Sequence, residues 1–213
     1  MKKASRLGIG VALLALQALL PLGAARAEDD ARGERLFQLC TQCHGPNGGG
    51  NPLALAPSIA GLDRWYVERQ LYKFRDGVRG VHFDDIGGMR MRAMARILAD
   101  DEDLKAVAAY VASLPPVKPA PVLAGDVTRG QQLYTPCIAC HGPEAKGNEA
   151  LGAPALDHAS DWYLLTQLKN YRSGVRGTNP KDQQGALMRP MSMTLPDEQA
   201  LQDVIAYIGT LRK

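Results

Sequence analysis

Cysteine occurs at only four positions, 40, 43, 137 and 140. Each pair has the form Cys-x-x-Cys and is followed at once by a histidine, His44 or His141, and then by Gly-Pro. Two thiols at this spacing can add to the two vinyl groups on one edge of a porphyrin. The next residue then has only a short reach, which places its imidazole under the iron. Cys-x-x-Cys-His therefore reads as a site for covalent attachment of c-type haem, and the chain has two of them. Other uses of paired cysteines fit less well. A thioredoxin-like dithiol calls for a βαβ setting, which the sequence does not offer. A zinc site needs two more ligands, and the remaining histidines, His82 and His158, stand isolated.

The elements that must position these residues occur twice. Cys40 maps onto Cys137 at an offset of 97, and the same offset carries Trp65-Tyr66 onto Trp162-Tyr163 and Pro57 onto Pro154. It also carries Gly77-Val78-Arg79-Gly80 onto Gly174-Val175-Arg176-Gly177, and Tyr110 onto Tyr207. Register is kept without a gap from Arg32 to Leu114, which predicts two homologous domains, 28–114 and 125–213, rather than a solenoid. Between them, 115–124 is proline-rich and predicts an extended, semi-rigid spacer.

The local pattern is helical throughout, and no alternating apolar run points to a sheet. Helices are expected over Ala31–Leu39 and Thr128–Tyr134, leading into the cysteines. Further helices are expected over Trp65–Arg75 and Trp162–Arg172, and over Asp101–Leu114 and Asp197–Leu211. In the last helix of the first domain Leu104, Val107, Tyr110 and Val111 form one apolar face, and Asp101, Glu102 and Asp103 crowd its positive end. The expected fold class is all-α, with small cores that a bulky apolar group would complete.

Residues 1–27 read as a leader. Lys2, Lys3 and Arg6 precede an apolar run from Leu7 to Leu22, and Ala25-Arg26-Ala27 has the form that precedes cleavage. The expected outcome is export to the periplasm with a new N-terminus at Glu28. The whole chain carries 25 basic and 22 acidic residues, but four of the basic ones and none of the acidic ones lie in 1–27. Residues 28–213 are thus near neutral, which argues against nucleic-acid binding.

With these motifs in view, the chain resembles class I cytochromes c, and specifically the two-haem, two-domain cytochrome c4 type. The stretches CxxCHG, WYVERQLYKFRDGVRG and MARILADDEDLKAVAAYVASL, with their second copies, carry the resemblance over essentially all of 28–213. It implies two covalently bound haem c groups, attached at Cys40, Cys43, Cys137 and Cys140 and ligated by His44 and His141. It also implies an electron carrier rather than an enzyme. Such a carrier takes single electrons from one respiratory redox protein to another, commonly toward a haem-copper terminal oxidase, and has no small-molecule substrate; peripheral membrane association is compatible with the sequence but not implied by it.

The resemblance places the sixth ligand four residues before the leucine that opens the last helical region. That gives Met94 before Leu98 and Met191 before Leu195, and leaves Met91 and Met188 as core packing. The carbonyls of Pro57 and Pro154 are candidate acceptors for the histidine ring N–H. Arg79 and Arg176 are candidate partners for haem propionates. Gly33 and Gly130 are expected where the first and last helices cross, and Trp65 and Trp162 as core or haem-wall residues. The rival readings are a two-haem peroxidase, in which one iron would need a removable ligand, and a haem-based sensor, for which no output domain is present. The near-perfect repeat argues against an enzyme with two differentiated sites.

The two copies diverge mainly before the methionines, where 81–90 and 178–187 share only Asp85/Asp182 and Gly88/Gly185. Both haems are therefore expected to be of the same high-potential kind but not identical. Intact-mass measurement is expected to show a chain beginning at Glu28 and carrying two haems. A mass with one haem, or with Cys137 and Cys140 oxidised to a disulfide, would contradict the reading.

Overall fold

A computed structural model describes residues 22–98 and 100–212. In the first half α1 spans Leu22–His44, α2 Arg64–Arg75, α3 Ile86–Ala95 and α4 Asp101–Ser113. In the second half α5 spans Val127–Tyr134, α6 Ile138–His141, α7 Asp161–Ser173, α8 Gln183–Met193 and α9 Glu198–Thr210. No strand occurs among the described residues, only two isolated bridges, Asn51 with Ala56 and Asn148 with Ala153. The all-α, two-domain architecture is as the sequence implied. Residues 1–21, most of the expected leader, lie outside the described residues, and α1 takes in residues 22–27 of it.

The helix leading into the first cysteine pair is longer than expected. Nothing in Cys40-Thr41-Gln42-Cys43 breaks a helix, so α1 continues to His44 and stops at Gly45, which has φ +77. The second copy is interrupted. Pro136 stands where the first copy has Leu39, and a proline removes a backbone donor and crowds the preceding turn. There α5 ends at Tyr134, a single 3-10 turn follows over Thr135–Cys137, and α6 brings the chain to His141.

Two further helices, α3 and α8, were not evident from the sequence, because each has glycine in its first turn and α8 contains Pro190. Each starts from an aspartate. The Asp85 carboxylate accepts from the Gly88 N–H at 3.0 Å and the Asp182 carboxylate from the Gly185 N–H at 3.0 Å, which satisfies an end donor that the helix itself cannot. The terminal helices α4 and α9 are capped in the same way by Asp100 and Asp197.

Each half has its own core. Phe37, Leu71, Phe74, Leu98, Leu104 and Val107 cluster in the first, and Tyr134, Leu164, Leu195, Leu201, Val204 and Ile205 in the second. The cores are organised by the crossing of the first helix over the last, α1 over α4 and α5 over α9. At the crossing point the backbones touch. A Cβ on Gly33 would collide with the carbonyl of Ala106, and one on Gly130 with that of Asp203. Beside each glycine two rings pack, Phe37 on Tyr110 at 5.2 Å and Tyr134 on Tyr207 at 5.5 Å between centroids.

The segment between the halves has no helix from 114 to 126 and is held to the second domain. The Asp161 carboxylate accepts from the backbone N–H of Val122 at 2.6 Å and of Leu123 at 2.8 Å, and Arg212 donates to the Pro119 carbonyl at 2.7 Å.

Gly130→Ala is expected to destabilise the second domain by about 1–3 kcal/mol, the usual cost of overpacking a close contact. A lower denaturant midpoint for that half alone would show it, and an unchanged midpoint would mean that the helices can part freely.

Candidate metal centres

His44 and His141 are buried. The Nδ1 of His44 lies 2.8 Å from the carbonyl oxygen of Pro57, and that of His141 lies 2.9 Å from the oxygen of Pro154. A carbonyl can only accept, so Nδ1 carries the proton in both rings and donates it. The lone pair then sits on Nε2, the nitrogen free to bind a metal. Burial pushes both imidazoles below the usual histidine range, against the opposing effect of the proline carbonyls, so the rings are neutral ligands at neutral pH.

The loop that brings each proline back is glycine-rich for a steric reason. Gly50, at φ +88, donates to the His44 carbonyl at 2.8 Å, and a Cβ there would meet the backbone of Pro57 and Ser58. Gly147 repeats this arrangement on His141.

The four cysteines are not joined as disulfides. Cys40 and Cys137 are partly buried, and burial, followed by the neighbouring Cys43 or Cys140, pushes each thiol up to about 11. Cys43 and Cys140 are exposed.

A cavity of about 420 Å³ runs through both halves. Ile59, Leu62, Leu71 and Phe74 line it on one side, Leu156, Leu164, Leu168 and Leu195 on the other, and both histidines face it. This volume falls in the range of cofactor sites. Met91, Met188 and Met191 line the cavity, whereas Met94 is not among the lining residues. Helical register accounts for the inward placement of Met91 and Met188. In α3 the buried stripe is formed by Gly88 and Ala95, and Met91 lies on it, three residues after the first and four before the second. In α8 the stripe is Gly185 and Ser192, with Met188 between them. Met94 sits one residue away from Ala95, about 100° around the helix, whereas Met191, at the same register in α8, still lines the cavity beside Met188. Met91 and Met188 are thus the equivalent pair of which both members line the cavity, while of the expected pair Met94/Met191 only Met191 does.

Arg79 and Arg176 are not solvated loop residues. Both are buried where the halves meet. Arg79 donates to Gln70 Oε1 at 2.9 Å, to the Tyr163 hydroxyl at 2.9 Å and to Gln167 Oε1 at 2.7 Å. Arg176 donates to Gln167 Oε1 at 2.8 Å and to Gln70 Oε1 at 3.2 Å. All these partners are neutral, and the Nε of each arginine is buried with no acceptor. Two buried cations that line a cavity call for anionic partners, and the carboxylates of two porphyrins have that chemistry. The orphaned Nε atoms, the free Nε2 lone pairs and the adjacent cysteine pairs all fit haem.

Trp162 lines the cavity, whereas Trp65 lies under the Arg69 guanidinium at 4.4 Å from its ring centroid. His82 stacks on the exposed Phe83 and is not among the lining residues. Gln70 and Gln167, which bridge the two arginines, were missed from the sequence, although their equivalence at the 97-residue offset was a usable signal.

Comparison with known proteins points to the same class of cofactor. The family model described as Cytochrome c matches residues 31–115 and again 127–212. A thiosulfate dehydrogenase electron acceptor of Stutzerimonas stutzeri (strain A1501) is 30% identical over 214 residues, 95% of this chain and 93% of that protein. Cytochrome c4 of Azotobacter vinelandii is 30% identical over 207 residues, 91% of this chain and 96% of that protein. The crystal structure of reduced recombinant cytochrome c4 from Pseudomonas stutzeri superposes with a TM-score of 0.67 at 25% identity, covering 84% of this chain and 96% of that one.

The chain belongs to the cytochrome c family. Its two tandem domains and two covalently bound haem c groups make it a dihaem electron carrier of the cytochrome c4 type. Replacing Arg79 with Gln removes a buried cation that favours the ferrous state. It is expected to lower the reduction potential of at least one haem in a potentiometric titration. Unchanged potentials would show that the guanidinium does not face a haem.

Proposed function

We propose that the protein is a periplasmic shuttle that passes single electrons between respiratory redox proteins, with each haem iron held between a histidine and a methionine. Cys40 and Cys43 hold the first haem, and Cys137 and Cys140 the second. His44 and His141 would hold the irons through Nε2, and the lining of the cavity by Met91 and Met188 at equivalent positions supports these two as the sulfur ligands. When bound, such haems supply reversible one-electron redox chemistry at high potential. The surrounding residues keep water away, fix the imidazole rings and set the charge around each site.

The observation that carries this reading is that both halves line the cavity with the same set of residues. Each has a buried histidine locked by a proline carbonyl, a methionine on the inward stripe of a helix, and a buried arginine. Irons held by a histidine and a methionine in this way would supply outer-sphere electron transfer rather than bond chemistry. The peroxidase alternative needs a removable ligand, and the one spare histidine in the first Met loop, His82, is turned to the surface.

Two donors are compatible with the relatives. A respiratory complex feeding a haem-copper oxidase follows from the cytochrome c4 likeness, and a thiosulfate dehydrogenase follows from the name of the Stutzerimonas relative. Mixing the oxidised protein with each donor in a stopped-flow instrument distinguishes them.

Met188→Leu is expected to remove about half of the long-wavelength sulfur-to-iron band of the ferric protein, because one of two equivalent sites is lost. Met191→Leu is expected to leave the band intact, and the reverse result would reassign the ligand. The ferrous protein is expected to bind carbon monoxide slowly and incompletely. Rapid stoichiometric binding would overturn the carrier reading.

A further inference from the structure

We propose that Lys73 is a positioning residue for the other domain. It reaches across the boundary and holds the start of α8, so the sulfur side of the second haem site depends on contact between the domains and that of the first does not. The proposal rests on the reading of α8 as the helix that carries a sulfur ligand.

Lys73 lies in the last turn of α2, with its side chain 10% exposed. Its Nζ donates to Asp182 Oδ1 at 2.5 Å and to Gln184 Oε1 at 3.1 Å. Asp182 is more deeply buried, with its side chain 2% exposed. The oxygen that takes the lysine also accepts from the Gly185 N–H at 3.0 Å and so begins α8. One carboxylate oxygen thus serves as the helix cap and as the anchor for a cation from the other domain. Gln184 lies one helical face with Met188 and Met191, at i, i+4 and i+7. The lysine therefore grips α8 both at its first residues and along the stripe that faces the cavity.

The repeat makes this contact conspicuous, because it has no reciprocal. At the 97-residue offset Lys73 becomes Asn170, Asp182 becomes Asp85 and Gln184 becomes Gly87. Asp85 still caps α3 through Gly88. Asn170, however, is buried with no partner for its Nδ2, and Gly87 has no side chain to offer. The aspartate cap is duplicated and the strut is not. A buried ion pair of this kind is costly to break by removing one member, because the other charge is left stranded. Loss of Lys73 strands the carboxylate on which α8 begins, while α3 keeps its own cap.

The test follows the sulfur-to-iron band of the ferric two-haem protein as denaturant is added. In Lys73→Met, about half of the band is expected to disappear at lower denaturant than in the unaltered protein, and the other half to keep its midpoint. Lys73→Arg is expected to restore most of the lost half, and Asn170→Leu to change neither. In a Met188→Leu background, where only the first domain's band remains, Lys73→Met is expected to leave that band unchanged. Asp182→Asn, which keeps an acceptor for Gly185 but drops the charge, is expected to give the same selective loss. It serves as the readout if Lys73→Met does not fold.

The proposal is overturned if Lys73→Met and Asp182→Asn leave both halves with their original midpoint. It is also overturned if Lys73→Met weakens the band remaining in the Met188→Leu background, since the lysine would then serve its own domain's haem. If neither Met188→Leu nor Met191→Leu removes half of the band, the ligand reading has failed and the strut falls with it.

Discussion

The rest of the structure depends on where one proton sits on two imidazole rings. A histidine bonded to the chain directly after a cysteine has little freedom to aim, and a neutral ring can offer its lone pair from either nitrogen. The carbonyl of a proline thirteen residues later settles both matters, since it binds the Nδ1–H and turns Nε2 into the cavity. That carbonyl must be carried back to the ring within a short loop. This requires left-handed glycines at 50 and 147 and the single bridges that close Asn51 on Ala56 and Asn148 on Ala153. The first helix must then end at the histidine, and the last helix must cross the first closely enough to leave room on the far side. The glycines at 33 and 130 make that crossing possible. Each of these requirements follows from orienting one ring, which is why they recur together in both halves.

The boundary between the halves obeys a different logic. Polar groups cluster there, with two guanidiniums, two glutamine side chains and a tyrosine hydroxyl bonded to one another away from water. Such a network is costly if incomplete, and the unpaired Nε atoms of Arg79 and Arg176 leave it two acceptors short. Arg69 adds a bond from the first domain to the Gly152 carbonyl at 2.8 Å. The contact is therefore specific in orientation, and each half sees an environment that the other half partly supplies.

The sequence was most informative where chemistry fixes residue identity. Cys40, Cys43 and His44 with their second copies, the duplication, and the helices that bear Trp65, Trp162, Tyr110 and Tyr207 all followed from spacing and apolar pattern. The reading faltered where identity is loose and geometry decides. α3 and α8 are short, glycine-bearing helices whose start depends on a single aspartate cap. Four methionines within two such stretches look alike until the cavity is known, and three of them, Met91, Met188 and Met191, line it. Arg79 and Arg176 were recognisable as paired, but their burial was not, because it arises only when the two halves are brought together. Lys73 gave no signal at all, since the contact it makes breaks the repeat on which the reading relied.

The strap between the halves has a consequence for assembly. Duplicated domains that match each other's surfaces are natural candidates for exchange between two chains, and a connecting segment that swings out readily is what permits it. Here the segment is clamped by Asp161 on the backbone of Val122 and Leu123, and by Arg212 on the carbonyl of Pro119. A short clamped tether keeps each half at a high effective concentration near its own partner, far above what a neighbouring chain can offer. The hydrogen bonds that fix the linker thus favour pairing of each half with the other half of its own chain, so that the two redox centres that face each other belong to one polypeptide.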